Sequence, residues 1–368
     1  MSKGTRIASE AKKYDGERAL KPTLRLTDNG SSNRHLGFSQ STFAAGGRKL
    51  IYISDRSGAP NFYLMDLSSF ESTQLTDAKG IFAGGAWYCD KKHEIFYWER
   101  DTIKSVDVDN LAERRVFQAP RQGGYLSASC DGRFIAFAAR CEDVEGFPQD
   151  YSGRWVVMVV SAADGEAFPA VDVPFRVGRV QFSPADPDLL LFEWEGPLRD
   201  VPQRIWSTDA SGLAGGPLGR QNPNEARGGE FFSCSGERVG YHGMRFHARS
   251  NDGAYFVEET AYVFGLVKPD GSGETQFECH GPTGRCQMNY GEDLLVCSQG
   301  GRADKSGQAV SLLRPVGRGG AVFDPLFYHG ANAAAEWLCP QFRPGDTEVI
   351  FTSDCEGHAD IYLTSVKQ

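Results

Sequence analysis

Imidazoles and guanidiniums are the side chains best suited to chemistry in this sequence, and both gather at particular places along it. There are seven histidines in 368 residues. His35, His280 and His329 each precede a short apolar run, His242, His247 and His358 each follow one, and His93 sits inside a tight turn. Arg56 and Arg204 lie in or just after the loops that follow such runs, and Arg285 precedes one. A neutral imidazole can take up a proton near physiological pH. A guanidinium grips a carboxylate through two parallel hydrogen bonds. The combination suits a site for an acidic ligand. Each residue also has a plainer reading. Histidines scatter through polar loops, and Arg56 in Ser54-Asp55-Arg56-Ser57-Gly58 can brace its turn by pairing with Asp55.

The elements that must position these side chains are the apolar runs. Seven recur, at 49–53, 94–98, 134–138, 189–193, 238–242, 293–297 and 348–352, each after a small-residue turn. Their spacing of roughly 40–55 residues is the period of a four-stranded propeller blade. The expected fold is all-β: one domain over residues 1–368, a seven-bladed β-propeller, with residues 1–20 as a flexible arm. The last blade runs out one strand short, and Thr23-Leu24-Arg25-Leu26-Thr27-Asp28 resembles the outer-strand segment ending at Asp77. An N-terminal strand closing blade 7 would leave no open sheet edge.

Successive strands of a blade are antiparallel, so the loop into the first strand and the loop from second to third share a face. Most extra length falls in the second-to-third loops of blades 3 to 6, including an insertion running from Cys141 to Arg154. Six of the seven histidines map to that face, and only His93 to the other. Insertions gathered on one face usually build a binding surface.

Composition narrows the possibilities. Gly is abundant at 43 and aromatics make up 12%, which suits short strands and tight turns. A formal charge of −9 argues against a duplex nucleic-acid partner. The polar start and the lack of a long apolar stretch argue against a membrane partner and for a cytoplasmic protein. Nine scattered cysteines with no Cys-x-x-Cys pair read as reduced thiols rather than a disulfide framework or a zinc site. There is no Gly-x-Ser-x-Gly elbow, and Asp150, Asp200 and Glu230 have no carboxylate partner nearby in sequence, so nothing supports a hydrolase or epimerase.

Several segments together resemble the oligogalacturonate lyases. They are Ser54 to Asn61 with Gln74-Leu75-Thr76, and Val180-Gln181-Phe182-Ser183-Pro184-Ala185-Asp186-Pro187 followed by Glu195-Gly196-Pro197 and Arg204-Ile205-Trp206. Gly229-Glu230-Phe231-Phe232 and Phe351 to Gly357 extend the likeness, and the blade 4 run is its specific part. The resemblance implies a seven-bladed propeller that cleaves short uronate oligomers by β-elimination, with an Arg and a His at the chemistry and a manganese ion held by His and Gln. By position, the family Arg matches Arg204, its early His matches His35 and a later His matches His329. The catalytic His falls on Gly229, a metal-binding His near Arg285, and the metal cluster before blade 7 near Ala334, Trp337 and Cys339. The manganese ligands are therefore not retained, no metal-binding residue is assigned, and the cofactor is left open.

β-Elimination beside a uronate carboxylate needs that charge neutralised, a base for the adjacent proton and an acid for the leaving oxygen. The expected assignment is His242 or His247 as base, with Arg204 and Arg285 holding the carboxylate. His35, Arg56, His329 and His358 are further substrate-binding candidates, and Tyr241 or Tyr290 is the candidate acid. The expected ligand is a small acidic oligosaccharide. The competing reading is a non-catalytic propeller that binds a saccharide or protein partner, because a pseudoenzyme would show the same losses.

Overall fold

A computed structural model gives the fold. It describes residues 2–37, 39–144, 153–251, 254–299, 308–317, 319–329 and 338–367, with side chains at 83 and 247–260 left aside. Among the described residues there are strands and two short 3-10 turns, and no helix is long and apolar enough to cross a membrane.

Strand pairing resolves into blades. Blades 2, 3 and 4 are separate four-stranded antiparallel sheets. Blades 5 and 6 form one eight-stranded sheet, joined where Glu278 and Cys279 pair in parallel with Gly320 and Ala321. Blade 1 is built on Lys49–Ser54, Asn61–Asp66 and Ser72–Gln74. Its first strand is split, with Asn33–His35 and Phe43–Ala44 pairing different stretches of Lys49–Ser54. Blade 7 combines Gln341–Phe342, Glu348–Ser353 and Asp360–Ser365 with Thr23–Arg25 from the other end of the chain. The expected N-terminal closure is therefore present, with Leu24 opposite Leu363.

The alternation of each strand sends apolar side chains into the gaps between blades. One core joins Ile51 and Phe62 of blade 1 to Ile95 and Tyr97 of blade 2. Comparable cores join each following pair, and the last sets Tyr52 and Tyr63 of blade 1 against Ile350 and Leu363 of blade 7. Burying apolar area between neighbours, at about 25 cal/mol per Å², makes the ring cooperative, since no blade covers both its faces alone.

The described part of the first twenty residues, expected as a flexible arm, is tied down. Arg6–Ile7 pairs with the outer strand of blade 1, and Lys12–Lys13 pairs with Thr23–Arg25. Tyr14 packs on Phe327 of blade 6 and Tyr362 of blade 7. The insertion expected in blade 5 is a long hairpin, Val239–Asn251 with Ala254–Val267, paired as far as Asn251↔Ala254. Its residues carry their own backbone partners, which is why the segment does not form an irregular loop.

Candidate active site

The first strands of blades 4, 5 and 6 carry matching irregularities near the insertion face. Pairing jumps from Val177↔Trp194 to Val180↔Phe192, from Gly228↔His242 to Phe231↔Gly240, and from Thr283↔Gln299 to Cys286↔Cys297. Each jump is a β-bulge, which bends its strand and re-aims a side chain. Each holds a glycine followed by a charged residue: Gly178-Arg179, Gly229-Glu230 and Gly284-Arg285.

The missing side chains make room for groups from the neighbouring strand. A Cβ on Gly178 would lie 2.4 Å from Glu193 Oε1 and 2.5 Å from Glu195 Oε2. On Gly229 it would lie 2.4 Å from His242 Cδ2, and on Gly284 2.5 Å from Ser298 Oγ. Gly229 also has φ +62, a backbone conformation that disfavours any side chain.

These bulges set arginines, carboxylates and one imidazole side by side. Arg204 Nη2 donates to Glu193 Oε2 at 3.0 Å, its Nη1 donates to the Gly196 carbonyl at 3.3 Å, and Glu195 Oε2 stands 3.6 Å from Nη2. The loop carrying Arg204 is held by Gln221, whose Oε1 accepts from the Arg204 backbone N–H at 3.0 Å. Trp194, just before Glu195, stacks on Phe175 at 4.4 Å and keeps that corner rigid.

Glu230 and Glu193 are both buried, and neither oxygen of Glu230 has a donor from another group. Burial raises Glu230 well above the ordinary carboxyl range, and the Glu193 charge adds to this. Burial opposes ionisation of Glu193 as well, but a hydrogen bond from Glu230 together with Arg204 and Arg179 outweighs it and brings Glu193 down to about 2. Burial therefore favours the protonated form of Glu230, while the ion pair with Arg204 favours the ionised form of Glu193. Burial and the Glu193 charge also raise Glu195.

His242 belongs to the same group. Burial, then the charges of Arg285 and Arg204, lower its imidazole to about 4, against a smaller opposing pull from Glu193. It is neutral at physiological pH and can accept a proton. Burial and the nearby Arg179 charge lower Arg285, whose environment also includes Glu193, Glu230 and Cys339. Arg204 and Arg285, from blades 4 and 6, thus lie near enough for their charges to act on the His242 imidazole of blade 5.

The oligogalacturonate lyase family matches residues 1–257. The chain belongs to that family. It is 23% identical to an oligogalacturonide lyase of Pectobacterium atrosepticum, over 100% of this chain and 98% of that one. An oligogalacturonate lyase of Dickeya dadantii is 22% identical over the same shares. A solved oligogalacturonate lyase in complex with manganese superposes with a TM-score of 0.84 at 21% identity, over 100% of this chain and 99% of that one. The propeller domain of the trilobed protease of Pyrococcus furiosus gives a TM-score of 0.55 at 10% identity, over 90% of this chain and 96% of that one.

Other residues singled out in the sequence go elsewhere in this family member. His35 is buried in a strand, with Nδ1 2.6 Å from Thr352 Oγ1 and Nε2 2.7 Å from the Cys339 carbonyl oxygen. Arg56 gives both terminal nitrogens to Glu10 on the N-terminal arm and lies over the Tyr63 ring at 5.4 Å. It braces a corner, as the plainer reading held, but its partner is Glu10 rather than Asp55. His358 Nε2 lies 3.1 Å from Arg25 Nη2 and 3.2 Å from Asp360 Oδ2, at the N-terminal closure. His329 is buried, and its environment includes Asp354 and Arg18. The His247 backbone pairs with Glu258, while its side chain lies outside the described residues. At about 3.3 Å per residue its Cα is on the order of 16 Å along the strand from His242.

Neither candidate tyrosine reaches the cluster. Tyr241 is fully buried, donates to Glu274 and accepts from Gln276 Nε2 at 2.9 Å. The strand alternation that points His242 inward turns Tyr241 away. Tyr290 sits in the turn between the first two strands of blade 6, on the opposite face.

The family's manganese does not fit the residues present. At the two metal-ligand positions that can be inspected stand Arg285, a cation, and Cys339, a buried thiol, where a hard ion needs oxygen or imidazole donors. Ala334 and Trp337 offer no ligand atom by type and lie outside the described residues. Asp28, His358 and Asp360 converge elsewhere, but Arg25 already donates among them, to Asp360 and, at 2.8 Å, to Asp28.

The sequence reading missed the carboxyl groups and Arg179. The available signal was the Gly-charged pair recurring in three consecutive first strands.

Proposed function

We propose that this chain is a carbon–oxygen lyase that cleaves a uronate-containing oligosaccharide by β-elimination, with arginines in place of a metal. The observation that carries this reading is the position of His242. Its imidazole occupies the space of a side chain at residue 229, where the family resemblance sets the catalytic histidine, and it shares that region with Arg204 and Arg285.

The proposed chemistry follows from these groups. Arg204, Arg285 and Arg179 receive the substrate carboxylate and spread the charge that develops when the neighbouring proton leaves. His242 is held neutral by burial and by two cations, so it enters the reaction unprotonated. An anionic substrate between those cations and the imidazole offsets their repulsion and raises the proton affinity of His242 as the reaction requires. Electrons from the broken C–H bond form the new double bond, and the C–O bond to the departing sugar breaks. A cavity of about 1200 Å³ between blades 2 and 3, lined by Arg121, Arg140, Trp155 and Asp172, gives room for further sugar units. Its inner end at Gly124 adjoins Gly178.

The test is an assay on oligogalacturonates and glucuronate-containing oligomers, following the ultraviolet absorbance of an unsaturated product. Product from the wild type and at least a hundredfold loss in His242→Ala is the expected result, within the roughly 10²–10⁴-fold range for a general base. No product from any uronate oligomer would leave the binding-propeller reading standing instead.

A further inference from the structure

With both tyrosines away from the cluster, the acid for the leaving oxygen has to come from another group. Three carboxyl groups follow one another beside Arg204. Glu230 is buried behind, Glu193 lies in the middle as the ion-pair partner, and Glu195 is in front with 36% of its side chain open to solvent. Glu193 Oε1 and Glu195 Oε2 face each other across the space left by Gly178. Only one of the three accepts from Arg204 at hydrogen-bond distance; Glu195 stands further off at 3.6 Å.

We propose that Glu195 is the catalytic acid that protonates the departing sugar oxygen, a role that rests on the lyase reading above. The oxygen that leaves is bonded to the carbon next to the one carrying the substrate carboxylate. A carboxylate held by Arg204 therefore brings that oxygen to the neighbourhood of Glu195. Burial, and then the negative charge of Glu193, raise Glu195 above its ordinary value, which favours the protonated form that an acid needs. The positive groups facing Glu195 are Arg204 and Arg176, whose carbonyl accepts from the Glu195 N–H at 2.8 Å; Arg179, Arg285 and His242 surround Glu193 and Glu230.

The step balances. His242 gains the proton removed beside the carboxylate, the C–O bond breaks, and the Glu195 proton passes to the oxygen to give a hydroxyl group on the released sugar. The enzyme is left with imidazolium and Glu195 carboxylate, and exchange with solvent restores both.

The test compares wild type with Glu195→Gln on two substrates: an oligogalacturonate, and a uronate carrying nitrophenoxide in place of the departing sugar. Nitrophenoxide leaves without help. The variant is expected to lose about a hundredfold in kcat on the sugar substrate, and only a few-fold on the nitrophenoxide substrate. In heavy water it is expected still to exchange the proton beside the carboxylate, because His242 is intact. Equal losses on both substrates, or no loss on either, would overturn the acid role while leaving the lyase reading in place. An inactive wild type that also fails to exchange that proton would overturn both.

Discussion

His242 fills the space beside Gly229: a Cβ built on that glycine would stand 2.4 Å from the imidazole Cδ2 and 2.5 Å from Nε2. The two positions exclude each other, so a histidine can be presented from one strand or from its neighbour, but not from both. Gly229→Ala is therefore expected to push the ring out of place and to lose activity as severely as His242→Ala. The left-handed backbone at 229 adds a stability cost of roughly 1–2 kcal/mol. Turnover and chemical denaturation of the two variants check this; full activity in Gly229→Ala would show that the ring's position does not matter.

Arg204 is expected to matter twice. Arg204→Ala leaves Glu193 buried with Glu230 and without its ion-pair partner, which costs about 3–5 kcal/mol by analogy with broken buried pairs. Arg204→Lys retains the charge but not the fork, so it should recover most of the stability and little of the kcat. Melting temperatures and kinetics measured side by side separate the two effects. Equal activity in the lysine variant would contradict a clamping role.

Acid should weaken the fold through its buried imidazoles. Burial lowers His35 to about 4, with a weaker opposing contribution from the hydrogen bond to Cys339; His242 and His329 are also held near 4. In the unfolded chain they protonate near the ordinary value of 6.5. Below 6.5 the unfolded state binds more protons, so stability is full above that pH and is lost as pH falls towards 4. For fully buried His35 the shift corresponds to on the order of 3 kcal/mol. Urea unfolding from pH 7.5 to pH 4.5 measures it, and His35→Gln should flatten part of the slope. A slope unchanged in that variant would mean that His35 titrates normally.

Chelation should leave turnover intact. Arg285 and Cys339 do not provide a manganese site, and in the proposed mechanism guanidiniums neutralise the carboxylate instead. Dialysis against EDTA is expected to change kcat by less than about twofold, within the scatter expected if no metal contributes to charge neutralisation. Activity that disappears and returns on adding manganese would refute this.

The fold was far more legible than the site. Apolar runs such as Leu189–Trp194 recur because every blade must bury the same inner strands, and that period survives divergence. Closure of blade 7 was legible for a similar reason: Thr23–Arg25 carries the pattern that a missing outer strand needs. The site depends on bulges of one residue, and a bulge leaves little trace in hydrophobic periodicity. Arg204, His242 and Arg285 could be singled out because their chemistry and their face of the ring agreed. Glu193 was hidden inside an apolar strand, and its pairing with Glu230 joins blades 4 and 5 across 37 positions of sequence. Arg56, His35 and His358 met the same sequence criteria and turned out to brace the frame, because residue type alone does not distinguish a clamp for a ligand from a clamp for the chain.

The parallel pairing of Glu278 and Cys279 with Gly320 and Ala321 bears on how this ring can breathe. It joins the outermost strands of blades 5 and 6, the blades that carry His242 and Arg285. A toroid that flexes will part first at seams without such a stitch. Blades 5 and 6 are therefore expected to move as one unit, carrying His242 and Arg285 with them.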